Sequence, residues 1–138
     1  MKVLAVDPGE VRIGLAISDP SGTLARPLQI IQHIARDKDA ERVAAIAAEH
    51  GVGRIVVGLA LNEHGRPTRS GRKAARMAER LRGLTGLDVD LVEESFTTQK
   101  ALRVRQEMEF SRKKKQRSVD AEAAAVILQE YLDERQAE

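Results

Sequence analysis

The chain contains no cysteine and no tryptophan, and its 138 residues include only three aromatic ones, Phe96, Phe110 and Tyr131. Without thiols there is no disulfide, no thiolate zinc site and no thiol nucleophile. Any metal must rest mainly on oxygen ligands, the preference of magnesium, manganese and calcium. So few aromatic rings also exclude a platform that stacks several bases. Long apolar runs are missing too: none approaches the ~18 residues of a membrane span, and no basic region, apolar core and cleavage site open the chain. A cytoplasmic protein with no membrane partner is expected. No repeat or low-complexity linker divides the sequence, so residues 1–138 read as a single domain, able to bury roughly 68% of the surface its unfolded chain exposes.

What is present is charge, unevenly spread. The formal net charge is only +2, with 32% of residues charged. Yet Arg66 to Arg82 holds Arg66, Arg69, Arg72, Lys73, Arg76, Arg80 and Arg82 against one acid, Glu79. Lys100 to Arg117 holds Lys100, Arg103, Arg105, Arg112, Lys113, Lys114, Lys115 and Arg117 against Glu107 and Glu109. Each segment carries +6 and the remainder −10. Such segregation suits a polyanion laid across one face. Affinity would then come from phosphate contacts, with steep salt dependence and little base readout. The run Arg112 to Arg117 reads as a loop between helices, ordered on nucleic acid.

The first stretch, Lys2 to Asp19, reads as a β-hairpin: an apolar run Val3-Leu4-Ala5-Val6, then Asp7, a turn at Pro8-Gly9-Glu10, and an alternating return through Ile13, Leu15 and Ile17. Asp7 stands where a buried strand surfaces. It reads equally as a ligand facing a cation or phosphate and as the opening of a turn, a common place for Asp before Pro-Gly. Leu24 to Ile31 is a third strand, placed at a sheet edge by Pro27. Asp37 and Asp39 are N-cap candidates for a helix with Ala40, Val43, Ala44 and Ala47 on one face, ending at Gly51. Arg54 to Leu61 is apolar on both faces, as a central strand is. Ser70 to Arg82 is a basic helix that Gly83 should stop. Asp88 to Glu94 is the fifth strand. Thr97 or Ser95 can cap a helix carrying Ala101, Leu102, Val104 and Met108, and Ser118 a last helix with Ala123, Ala124, Ile127, Tyr131 and Leu132 inward. The order βββαβαβαα predicts an α/β fold with a mixed sheet flanked by helices. Sites in such sheets gather outside the carboxyl ends of the strands, which selects Asp7, Asn62 and Glu94. Asp120, in the expected first turn of the last helix, shares the face of Ala123, Ala124 and Ile127. A helix dipole alone accounts for an acid there, and so does a cation shared with Asp7 and Glu94. His33, His50 and His64 have no metal-ligand spacing.

The pieces VDPGEVRIGLAISD, GLALN, VEESFTT and SVDAEAAAVILQEYL together resemble the YqgF family, known as pre-16S ribosomal RNA nucleases or Holliday junction resolvases within the ribonuclease H-like superfamily. The resemblance runs from Val3 to Leu132. It implies a ribonuclease H-like domain with a five-stranded mixed sheet, its first three strands antiparallel, and three acids, Asp7, Glu94 and Asp120, gathering Mg2+ or Mn2+ for phosphodiester hydrolysis. Family members usually carry Lys or Thr where this chain has Glu10, Pro at Ala60 and Arg at Ser95. Holding phosphate therefore falls to Arg12, Arg66, Arg69 or Lys100, with Arg72, Lys73, Arg112, Lys113, Lys114, Lys115 and Arg117 as further nucleic-acid contacts. A two-ion site held by carboxylates suits the chemistry, with Asp7 bridging. The expected function is a metal-dependent endonuclease working at the 5' end of pre-16S ribosomal RNA. The alternatives are a resolvase on branched DNA and a non-catalytic nucleic-acid-binding factor of ribosome maturation or transcription. An actin-like ATP-binding domain is disfavoured by the chain's length and its missing second phosphate loop. Junction resolution needs two cuts and so a homodimer, whereas RNA trimming is open to a monomer.

Overall fold

Val3 to Val6 are apolar on both faces because they lie at the centre of the sheet. The computed structural model describes residues 1–9, 11–60, 64–66, 68–94 and 113–137, with the backbone alone for 70, 94, 113–120 and 137. Strand β1 (Val3–Pro8) pairs antiparallel with β2 (Arg12–Ser18), which pairs antiparallel with β3 (Ala25–Gln32). On its other side β1 runs parallel to β4 (Arg54–Ala60), and β4 parallel to β5 (Asp88–Glu94). The spatial order is β3-β2-β1-β4-β5. This is the mixed five-stranded sheet expected, with its first three strands antiparallel. Pro27 sits in edge strand β3, and the ladder slips there: Leu15 faces Gln29 while Ala16 faces Pro27, leaving Leu28 as the extra residue of a bulge.

Helices α1 (Arg36–His50) and α2 (Arg69–Thr85) cover one face. Ala40, Val43, Ala74, Met77, Ala78 and Leu81 pack there on Leu4, Val6, Ile13, Leu15, Ile55 and Val57. Helix α3 (Lys113–Ala137) covers the other, setting Ala124, Ile127, Leu128, Tyr131 and Leu132 against Val3, Ala5, Ala16 and Val56. Residues alternate between these two cores along β1, as the pleat requires.

Several local expectations change. The hairpin ladder continues past the expected turn: Pro8 still pairs with Ile13, and the Gly9 amide donates to the Arg12 carbonyl at 3.0 Å. Asp7 is therefore inside the ladder, opposite Gly14, and does not open a turn. A Cβ on Gly9 would fall 2.4 Å from that carbonyl oxygen, so the close approach demands glycine. Neither Asp37 nor Asp39 caps α1, whose N-cap is Ala35. Both lie in its first turn, where the helix dipole favours acids. Gly83 does not stop α2; the helix ends at Gly86, whose φ of 69° an L side chain resists. Its start is capped by Thr68, which accepts from the Gly71 amide at 3.1 Å.

The largest correction concerns the basic run. Lys113 to Arg117 are helical, so Ser118 is no cap and Asp120 is not in a first turn. Lys, Gln and Arg are good helix formers, and no Gly or Pro interrupts residues 113–137. The proposed helix after β5, with Lys100 and Arg112, lies outside the described residues, as does Asn62.

Candidate active site at the carboxyl ends of the strands

Asp7 is the first polar residue of β1 after a fully buried run, and it is itself half-buried. Its cross-strand partner is Gly14. On the other side, continuing the β1–β4 register past Val6 and Val57 brings it level with Gly58. A Cβ built on Gly58 would lie 3.8 Å from Asp7 Oδ1 and 2.9 Å from Ile127 Cδ1. The carboxylate thus stands in a notch between two glycines, on the face covered by α3. A side chain at Gly58 would meet the Ile127 methyl group first and the carboxylate next.

Register carries the second acid to the same face. Val56 belongs to the α3-side core, and β4 pairs Val56 with Asp90, Gly58 with Val92 and Ala60 with Glu94. Strand alternation sets Glu93 on the opposite face and Glu94 on that of Asp7. Two strand spacings, about 10 Å, separate β1 from β5. Helix pitch carries the third. Ala124, Ile127, Leu128 and Tyr131 face the sheet, and Asp120, four residues before Ala124 and seven before Ile127, shares that stripe.

The helix is fixed in rotation and direction by polar contacts at its far half. Tyr131 donates its hydroxyl to Asp90 Oδ2 at 2.6 Å, and Arg54 Nη1 donates to the same oxygen at 2.8 Å. Arg135 reaches the Tyr131 hydroxyl at 3.1 Å. The Tyr131 hydrogen bond, then Arg54, hold Asp90 below the ordinary carboxylate value, while burial and Asp90 push Tyr131 up. Gln129 accepts from the Ala25 amide at 2.9 Å and donates to the Thr23 carbonyl at 3.0 Å. With Tyr131 at the amino ends of β4 and β5 and Ile127 beside Gly58, α3 runs so that Asp120 lies toward the carboxyl ends, about 10 Å further along the axis than Ile127.

The basic residues divide differently from the expectation of one face. Arg12 opens β2 and alternates onto the face of Asp7, and α3 begins at Lys113 on that side. Helix α2, with exposed Arg69 and Arg72 and half-buried Lys73, covers the opposite face. Helix α2 starts at the carboxyl rim, as the Thr68 bond to the Ala60 carbonyl shows. Arg66 is exposed just before α2.

Sequence reasoning missed one buried acid and its histidine partner. Asp39, 2% exposed, takes the Ile34 amide at 3.0 Å and pairs with His33 Nδ1. Its position four residues before Val43 on the apolar stripe was the available signal. The flanking glycines were also legible as lone glycines inside apolar strands.

A mixed five-stranded sheet in the order β3-β2-β1-β4-β5 with helices on both faces is the ribonuclease H-like fold. Solved structures share it: the chain resembles Thermus thermophilus RuvC in complex with a Holliday junction substrate, with a TM-score of 0.63 and 16% identity over 99% of this chain and 96% of that one. It also resembles the fowlpox virus Holliday junction resolvase, with a TM-score of 0.56 and 13% identity over 97% and 99%. The particular family follows from sequence. The model of the RuvX family, described as Holliday junction resolvase, matches residues 1–134, and the chain belongs to that family. A relative in Anaeromyxobacter sp. (strain Fw109-5), named "Putative pre-16S rRNA nuclease", is 44% identical over 137 residues, 99% of this chain and all of that one. One of the same name in Thermoanaerobacter pseudethanolicus is 40% identical over 134 residues, 96% of each.

Proposed function

We propose that this chain is a divalent-metal-dependent endonuclease that hydrolyses phosphodiester bonds in the 5' processing of pre-16S ribosomal RNA, with Asp7, Glu94 and Asp120 as metal ligands. The observation that carries the reading is the Asp7 carboxylate in its glycine-lined notch, on the face and at the rim where register and helix pitch also set Glu94 and Asp120. The site suits hard cations: its donor is a carboxylate oxygen, and the residues level with it on the two neighbouring strands, Gly14 and Gly58, carry no side chain. When bound, Mg2+ or Mn2+ ions would activate water, offset phosphate charge and stabilise the leaving oxygen.

The chain's own contribution is placement. Asp7 sits on the central strand of the sheet, so its carboxylate is held by rigid backbone. Arg12, two residues from Gly14 on the same face, supplies positive charge for a phosphate at the rim. The basic start of α3 extends that field beyond the sheet and guides the strand inward. The family description favours a second substrate, branched DNA, for which the same site would serve in a homodimer.

Cleavage of a ribosomal RNA precursor and of a four-way junction, each with Mg2+ or Mn2+, tests the reading. Wild type should cut the precursor, and Asp7→Asn should lose at least about a hundredfold in rate, the scale for removing a group that acts on developing charge. Cutting of the junction alone would favour the resolvase. Full activity in Asp7→Asn, or none in wild type with tight RNA binding, would overturn the nuclease assignment.

A further inference from the structure

Behind the notch, on the other face of the sheet, lies a second cleft that the metal chemistry does not use. Pro8 and Gly9 of the hairpin turn, Ile13, His33, Arg36, Asp39, Lys73, Arg76, Met77 and Arg80 line it. Pro8, Ile13 and Met77 give it an apolar floor, and the cations of α1 and α2 give it a rim. The space open to the centres of water-sized groups is about 40 Å³. One water needs about 10–15 Å³ on that measure, so the cleft holds a few such groups, the size of one phosphate.

Its charge is unbalanced. Arg80 pairs with Asp37, and Asp39 is occupied by His33 and the Ile34 amide. The side chains of Arg36, Lys73 and Arg76 make no hydrogen bond or ion pair among the described residues. Lys73 is nonetheless half-buried. Along α2, Arg72 and Arg76, and Arg76 and Arg80, are like charges one turn apart, an arrangement that destabilises a helix unless an anion lies against it. The apolar floor strengthens any such contact by excluding water.

We propose that this cleft is a phosphate-binding site, with Arg36, Lys73 and Arg76 as its ligands. Because Pro8 and Gly9 follow Asp7 directly, a phosphate here lies across the hairpin turn from the notch. That spacing suits a second phosphate of a strand draped over the turn, a version that rests on the nuclease reading. A free nucleotide offers the same group and does not depend on it.

The test is amide chemical-shift mapping and affinity measurement on the full chain without metal, using AMP and a 5'-phosphorylated oligonucleotide as probes. At least one probe should shift Gly9, Arg36, Lys73 and Arg76, and Arg36→Ala/Arg76→Ala should weaken its binding at least tenfold. Arg26→Ala/Lys38→Ala, which removes the same charge from exposed positions outside the cleft, should weaken it far less. Oligonucleotide affinity well above that of AMP identifies a strand, and equal affinities identify a free nucleotide. The AMP arm needs neither metal nor cleavage, so loss of cleavage and loss of this site are separable. No shift at the four residues with either probe, or equal weakening by both double variants, would overturn the proposal.

Discussion

Gly58 separates Asp7 from Ile127: a Cβ there would stand 3.8 Å from the carboxylate oxygen and 2.9 Å from the Ile127 methyl group. The absent side chain is what lets α3 lie close to the sheet, with the Ile127 methyl group packed against the backbone there. Gly58→Val should destabilise the fold by about 1–3 kcal/mol, the range for overpacking a filled core. Cleavage should fall at least about tenfold beyond what unfolding explains, because the valine occupies the notch. Gly58→Ala should cost less, since the Ile127 methyl can turn away. Chemical denaturation and rate measurement on the folded variants check both.

Tyr131 and Asp90 tie the last helix to the edge strand, and the tie titrates. Asp90 is held below its ordinary value, and Asp19, bonded by Ser21, Leu24 and Thr23, is lowered to about 2. For both, the stabilising contribution is complete above the ordinary carboxylate value of 3.8 and is lost as pH falls through the lowered one. Tyr131 is raised, so its contribution holds below 10.0 and disappears as pH rises through the raised value. Stability against pH should therefore decline at both limbs. Tyr131→Phe should remove the alkaline limb and soften the acid one, at a cost of about 1 kcal/mol given the partial exposure of Asp90.

Asp39 is buried under the turn into α1 and accepts from both His33 and Ile34. Asp39→Ala should cost about 1–3 kcal/mol by leaving those donors without their acceptor. Asp39→Asn, which keeps an oxygen for the Ile34 amide, should cost less. Thermal unfolding of the two variants measures the difference.

Nucleic-acid affinity should fall steeply with salt, with a log–log slope of about −0.7 per phosphate bound on a single strand and about −0.9 on a duplex. Neutralising Lys113, Lys114 and Lys115 together should weaken binding evenly across sequences and flatten that slope by up to about one unit for each phosphate no longer paired with a lysine. A curve that does not respond to salt would contradict a phosphate-led interface.

Strand identities were legible because a period of two and a fully apolar run say how many faces of a strand are covered. Val3 to Val6 and Ile55 to Val57 announced central strands, and Pro27 announced an edge. Boundaries set by caps were less legible. Gly83 and Gly86 compete as stops for α2, and only the backbone angle at Gly86 decides between them. Lys113 to Arg117 carry no apolar period at all, so their helical state rests on intrinsic propensity and on continuity with the packed half of α3.

The sequence by itself determined the five strands and the mixed sheet, because hydrophobic periodicity and local turn chemistry act over a few residues, while the resemblance singled out three acids. Tertiary structure decided what those acids share. Only the register of β1, β4 and β5 sets positions 7 and 94 on one face, and only the anchoring of α3 through Tyr131 and Gln129 puts position 120 on the helix stripe that packs on that face. It also set Arg12 on the face of Asp7 and the basic helix α2 on the other. Residues far apart in sequence are brought together by packing and pairing, which no local pattern encodes.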